Sequence, residues 1–258
     1  TRILSDSKLG ADDPDGGFAS KKKTASEKEL AYAVMNAAVL WILLALPFIG
    51  SVAAAALPTN ARNLGGLIAG TISLAGVVLT IASYAAVQDG SALIAEVAWL
   101  PSLGLNLQIR LDGLSWIFAF LVLAIGLLVV IYAHYYMSPR DPVPRFFSFF
   151  LAFMGSMLGL VLSGNLIQLA FFWELTSLFS FLLIGYWHHN ETARSSARMA
   201  LIVTAAGGVS LLVGVLLVGK VAGSYEIDAV IAAADRIRAS EYYLPALILI
   251  LIGAVHKR

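Results

Sequence analysis

Apolar stretches set off by short polar connections dominate the chain from residue 30 onward. A bilayer core of roughly 30 Å takes about 20 apolar residues of helix. Leu30–Leu57 and Gly65–Val87 meet that length without a charge, and Leu114–Ala133 follows them. Phe146–Leu162 is shorter, Leu166–Trp187 carries one charge at Glu174, and Met199–Gly219 is again uncharged. Leu244–Lys257 opens a seventh stretch of 14 residues, which as helix rises only ~21 Å. The pattern predicts an all-α, polytopic transmembrane bundle with six full spans plus an incomplete seventh. On that reading the last helix is cut short and the chain is a fragment.

The connections differ in kind. Ser163-Gly164-Asn165 is a minimal turn, which makes the helices on either side an antiparallel hairpin. Residues 88–113 form a long loop, and within it Leu103–Leu111 alternates apolar and polar positions as a short strand does. Asp228–Ala239 has helical apolar spacing and predicts an amphipathic helix on the membrane surface. Arg62, Arg140, Arg145, Arg194 and Arg198 fall on one side, in short loops, while Arg110, Lys220, Arg236 and Arg238 fall on the other, in longer ones. The positive-inside rule makes the short-loop side cytoplasmic.

Composition agrees with the pattern. Of the 258 residues 59% are hydrophobic and 13% charged, against about 25% charged in soluble domains. The absence of cysteine excludes disulfides, cysteine nucleophiles and thiolate metal sites. A net charge of +1 speaks against nucleic-acid binding as a bulk property. Residues 1–28 are polar, hold the run Lys21-Lys22-Lys23 and show no helical or strand period. They are expected to be a disordered leader that need not be native, ahead of a transmembrane domain over residues 29–258.

Few residues remain that could carry chemistry. Glu174 is the ninth residue of its span, ~12 Å along the helix. A carboxyl group at that depth costs a few kcal/mol to insert, and such residues mark ion or proton pathways by default. Lost hydration favours the protonated form and a nearby cation favours the ionised one, so the group can load and release a proton. The competing reading is a structural carboxyl group that ties two helices together. Lys257 lies ~20 Å along the seventh helix, either a second buried charge and a partner for Glu174 or a snorkelling lysine. His256 shares that ambiguity. Lys220 reads as an interfacial snorkelling residue and His134, beside Tyr132, Tyr135 and Tyr136, as part of an aromatic belt. His188-His189 are adjacent and so point apart on a helix, a poor metal site. Gly66-x-x-x-Gly70 and Gly155-x-x-x-Gly159 have the spacing of close helix contacts. Asn190-Glu191-Thr192 is a glycosylation sequon by pattern alone. No P-loop, dinucleotide fingerprint or zinc-protease motif occurs, so no cofactor is expected.

Three stretches together carry a resemblance: RLDGLSWIFAFLVLAIGLLVVIYAHYYM over Arg110–Met137, FWELTSLFSFLLIGYW over Phe172–Trp187, and LILIGAVHK at Leu249–Lys257. They resemble the large A-type chain of Mrp-type (Pha, Mnh) multi-subunit cation/proton antiporters, which is similar in turn to the proton-pumping subunits of respiratory complex I. The resemblance runs from about Ala31 to Lys257 and covers the N-terminal part of that large chain. It implies that Glu174 is an essential membrane-embedded carboxylate. The family's next embedded charge, a lysine within a GA-x-T-K-S-A-Q-like pattern, falls on Lys257. Here the sequence departs: His256 stands where threonine is usual and Arg258 where serine is usual.

The resemblance further implies a mechanism. Glu174 and Lys257 form a switchable ion pair; closing it releases a proton and opening it allows one to load. This relay is coupled to Na⁺ or K⁺ movement in a complex with other subunits, in a bacterial inner membrane. Two other readings stand beside it: a proton-pumping subunit of a complex I-like oxidoreductase or membrane hydrogenase, and an inactive truncated remnant.

Overall fold

The computed structural model describes residues 37–100, 105–138 and 141–256. The expected leader and Lys257 lie outside the described residues. Among the described residues, six helices are long and apolar enough to cross a membrane. They are α1 (Ala37–Ala55), α2 (Arg62–Ala82, extended by a 3₁₀ turn to Ala86), α3 (Gly113–Tyr136), α4 (Val143–Val161), α5 (Leu166–Ile184) and α6 (Glu191–Ala222). The chain is therefore a multi-pass membrane protein. Between α2 and α3 lies a hairpin of β1 (Leu93–Leu100) and β2 (Leu105–Leu111). After α6 come the short α7 (Ile227–Ala232) and α8 (Ala234–Arg238), then the 14-residue α9 (Tyr243–His256).

Capping explains where the spans begin. Asp112 and Ser115 form a reciprocal capping box at α3: the Asp112 carboxylate accepts from Ser115 N–H at 2.9 Å, and Asp112 N–H donates to the Ser115 hydroxyl at 2.7 Å. Asn165 starts α5 by accepting from Ile167 N–H at 2.9 Å and from Gln168 N–H. Asn190 does the same for Thr192 and Ala193. The sequon asparagine is thus a helix cap. It starts α6 at Glu191, eight residues before the apolar run at Met199. The extra two turns hold Arg194 and Arg198. At the far end Gly223 adopts φ 76°, and its N–H returns to the Gly219 carbonyl, a left-handed helix stop that favours glycine.

Burial sets the position of each span. In the most apolar window of α4, 61% of residues are buried, against 22–33% for the other five, so α4 is the central helix. Its Phe147, Leu151 and Leu158 are fully covered and join Leu40 and Leu43 of α1 and Leu123 and Val130 of α3 in one core. Helix α3, the most apolar span, leaves Leu114, Ile125 and Leu128 exposed. In a bilayer such surface faces lipid and costs nothing.

One end of the bundle is capped by the connections. The β strands pair antiparallel, with Leu93 opposite Leu111 and Ala95 opposite Ile109. Ala95, Ile109 and Leu111 are buried, while Ile94 and Val97 are exposed. The strand expected at Leu103–Leu111 is therefore present as β2, and its partner β1 is not apparent from the sequence pattern. The Ser163-Gly164-Asn165 turn is sewn between β2 and the segment before α7. Gly164 N–H donates to Gln108 O, Arg110 N–H to Leu162 O, Leu166 N–H to Tyr225 O and Ile227 N–H to Gly164 O, all at 2.8–2.9 Å. Arg110 ties the cap together by pairing with Asp112 at 3.1 Å and with Asp228. The Asp228 pairing raises the affinity of Arg110 for its proton, while burial opposes it. Burial pushes the Asp112 carboxyl group upward, but the hydrogen bonds from Ser115 and Arg110 outweigh it and hold the group below its usual range.

The expected amphipathic helix over Asp228–Ala239 is divided. Its backbone breaks at Ala233, and neither α7 nor α8 buries a residue fully. Arg236, exposed on α8, donates to the Ala222 carbonyl, which α6 leaves without an intrahelical partner.

Candidate functional site

Glu174 sits at the centre of the 19-residue α5, ~12 Å from its start. Its surroundings follow from glycine placement on α6. A methyl group added at Gly208 would overlap the Glu174 carboxyl group. The carboxyl head therefore occupies a notch that only a residue without a side chain can leave open. Glu174 Oε1 is wholly covered. Ser177, three residues on, shares that side of α5, while Thr176 lies about 200° around the helix from Glu174. Each is 1% exposed, and Thr176 bonds back to the Trp173 carbonyl at 2.7 Å.

The neighbouring glycine, about 100° around the helix, meets a different partner. A methyl group at Gly207 would meet the His256 Cβ and the Gly253 carbonyl of α9. Further along, Gly214 brings α6 within 3.1 Å of the Ala246 carbonyl and the Ile250 amide, measured from the position its Cβ would take. Ser210 Oγ donates to the Leu249 carbonyl at 2.9 Å. Helix α9 is held on α6 by backbone-to-backbone approach of the kind small residues permit. Of the Gly207-Gly208 pair, Gly208 thus meets Glu174 and Gly207 the end of α9. Reading the sequence alone misses this pairing. Its signal is nevertheless there, because two consecutive glycines inside a helix cost roughly 1 kcal/mol each relative to alanine and need a packing reason.

Other residues singled out from the sequence fall elsewhere. Lys257 is outside the described residues, next to His256 at the end of α9. His134 is not part of the outward belt. Its Nδ1 is covered and lies against Gly66 of α2, and its carbonyl accepts from Arg62. The belt consists of Tyr132, Tyr135 and Tyr136, which are 62–80% exposed. Gly66 does admit a neighbour, whereas Gly70 faces open space, so that pair is not a two-glycine helix contact. Gly155 and Gly159 instead seat the rings of Phe48 and Phe172. Lys220 stands at the membrane edge with its ammonium 4.6 Å from the Tyr242 ring centroid. His188 contacts Arg145 at 3.3 Å, and no metal-binding group of three or more donors exists among the described residues. Tyr186, beyond the end of α5, has its phenol pushed up to about 12, first by burial and then by the charge of Asp141, with Arg145 opposing.

A bundle of membrane-length helices with a carboxyl group at mid-span defines a multi-pass helical membrane protein. Comparison with known proteins narrows this. Residues 163–258 match the family described as "NADH:quinone oxidoreductase/Mrp antiporter, TM", and residues 99–147 match "NADH-Ubiquinone oxidoreductase (complex I), chain 5 N-terminus". The chain is 52% identical over 219 residues to the probable K⁺/H⁺ antiporter A/B subunit of Rhizobium meliloti (strain 1021), covering 85% of this chain and 22% of that protein. It is 44% identical over 162 residues to the Na⁺/H⁺ antiporter A-type subunit of Alkalihalophilus pseudofirmus, covering 62% of this chain and 20% of that protein. Among solved structures, the Mrp complex from Dietzia sp. superposes with a TM-score of 0.73 at 28% identity, over 84% of this chain and 23% of that chain. An archaeal membrane-bound sulfane sulfur reductase superposes with a TM-score of 0.67 at 18% identity, over 83% of this chain and 44% of that chain, a likeness of fold alone. Over most of its length the chain is similar to antiporter-like membrane subunits, the Mrp A-type subunits among them. It spans about a fifth of the length of the curated relatives it matches.

Proposed function

We propose that this chain is part of the A-type subunit of a multi-subunit monovalent cation/proton antiporter, and that Glu174 carries the proton. The observation behind this is the seat of Glu174: a mid-span carboxyl group with one oxygen covered, set against Gly208, whose neighbour Gly207 meets the end of α9. Such a site can alternate between a protonated and an ionised state at low cost only if a counter-charge comes and goes. Lys257 is the residue assigned to that part, because it follows His256 directly in the chain and matches the lysine of the family pattern. The pair then acts as a switch: ionised and closed, or protonated and open. Coupling to Na⁺ or K⁺ takes place with other subunits in a bacterial inner membrane, with the short loops and their arginines on the cytoplasmic side. The work is transport rather than catalysis, with lipid as the surrounding medium and no organic cofactor.

The named relatives disagree on the cation, K⁺ for one and Na⁺ for the other, so the A-type reading extends to both. The complex I-like reading shares the fold and its family models, but the relatives at 52% and 44% identity are named antiporter subunits. The test is exchange in everted vesicles from cells that make the full-length protein with its partners. Glu174→Gln removes the titrating group at constant shape. It is expected to abolish cation-dependent proton movement, while Glu174→Asp retains a reduced rate. Full exchange by Glu174→Gln, with the complex assembled, overturns the assignment.

A further inference from the structure

At the end of the bundle opposite the β hairpin, the N-termini of α4 and α6 and the C-terminus of α5 enclose a cleft of about 480 Å³. This is within the ~300–1,000 Å³ range of small-molecule sites. Its rim is basic: Arg145 from α4, Arg194 and Arg198 from α6 and His188 from the connection between α5 and α6. Its wall is apolar, formed by Phe149 and Phe181 from within the spans. The antiporter reading uses these arginines only to orient the chain in the membrane.

Arg145 is held in place by the fold. Its Nη2 donates to the Tyr186 carbonyl at 3.3 Å, and its guanidinium lies 5.7 Å from the Phe149 ring centroid. Its Nε is covered and has no partner among the described residues. A covered guanidinium N–H without an acceptor is costly. Arg194 and Arg198 lie one turn apart on α6 and are exposed. Arg194 meets Glu191 at 3.4 Å, with side chains 52% and 91% exposed, a contact worth little and easily exchanged for a stronger anion. Arg198 has no ion pair among the described residues.

We infer that this cleft binds the phosphodiester headgroup of an anionic phospholipid, with the start of an acyl chain against Phe149 and Phe181. The shape of the cleft separates this from a free phosphate site. Its charges stand at the membrane edge and its apolar wall belongs to the spans, so the ligand that satisfies both halves has a charged head and an apolar tail. Guanidinium groups suit the head because they present several donors in a plane. The positive-inside rule puts the cleft in the cytoplasmic leaflet, where anionic lipids attract clustered arginines.

The test uses the purified full chain in a non-ionic detergent, with lipid retention read by native mass spectrometry. Phosphatidylglycerol is expected to be retained at least tenfold better than phosphatidylcholine. Removing two arginines, each adding several-fold in affinity near an anionic surface, in Arg194→Gln/Arg198→Gln should weaken retention roughly thirtyfold. Both residues are exposed, so the fold should persist, as circular dichroism would show. Arg236→Gln/Arg238→Gln at the opposite end should leave retention unchanged. Equal retention of the two lipids, or no effect of the α6 pair, overturns the inference. Displacement by millimolar inorganic phosphate also overturns it, in favour of a free-anion site. Retention of neither lipid overturns it as well, and leaves the cleft to an acidic segment of a partner protein.

Discussion

Glu174 and its two glycines divide what a sequence tells from what it withholds. A lone carboxylate in an uncharged span is legible at once, because insertion cost makes such residues rare. The notch that receives it is not, since the partner surface on α6 depends on which faces of two helices meet. The same gap explains His134. Its neighbours predict an interfacial ring, but the position of Gly66 turns the imidazole onto α2. The two α6 glycines make separable predictions. In Gly208→Ala the new methyl meets the end of a flexible side chain, so Glu174 is displaced and the helices keep their places. Exchange should fall at least tenfold while thermal stability changes little. In Gly207→Ala the methyl meets backbone at Gly253 and the Cβ of His256. It should therefore lower the melting temperature and expose α9 to protease. Identical behaviour of the two variants would contradict the separate partners of the two glycines.

The elements whose ends are set by local chemistry were the most readable. The spans of α3 and α5 lie within three residues of the apolar runs that predict them. Helix α6 departs at its start because its first two turns are polar and are held by the Asn190 cap rather than by hydropathy. The β hairpin was half legible: β2 alternates, while β1 shows its strand character only once paired. That end of the bundle also yields a pH-dependent prediction. Asp112 has a lower proton affinity in the folded protein than in the unfolded chain. Its contribution is present above the ordinary aspartate range and is lost as pH falls through the folded value. Asp112→Ala should cost about 1 kcal/mol at neutral pH through loss of the cap. The difference from the unsubstituted protein should shrink in strong acid. A constant difference across pH, in thermal unfolding of the detergent-solubilised protein, would show that the ionised carboxylate is not the stabilising group.

At the scale of the whole molecule, hydropathy defines which segments cross the membrane but not their neighbours. Lipid is as apolar as the helix surfaces, so small residues, ring pockets and buried polar groups decide which helices meet. This is why α4 is central despite having the lowest mean hydropathy of the six spans, 1.5. Its close neighbours cover the polar Ser148 and Ser156. It is also why α9 packs closely on α6 through Gly207, Gly214 and Gly253. The arrangement brings one titratable carboxyl group to a glycine seam between three helices. In the proposed function this group takes up and gives off a proton as the cation moves. Infrared difference spectroscopy of the full-length protein with its partners in liposomes, recorded with and without Na⁺ or K⁺, observes the carboxyl group itself. The account predicts a protonated-carboxyl band that changes on cation addition and is missing from Glu174→Gln. The same band in Glu174→Gln, unchanged in size, would show that the proton resides elsewhere.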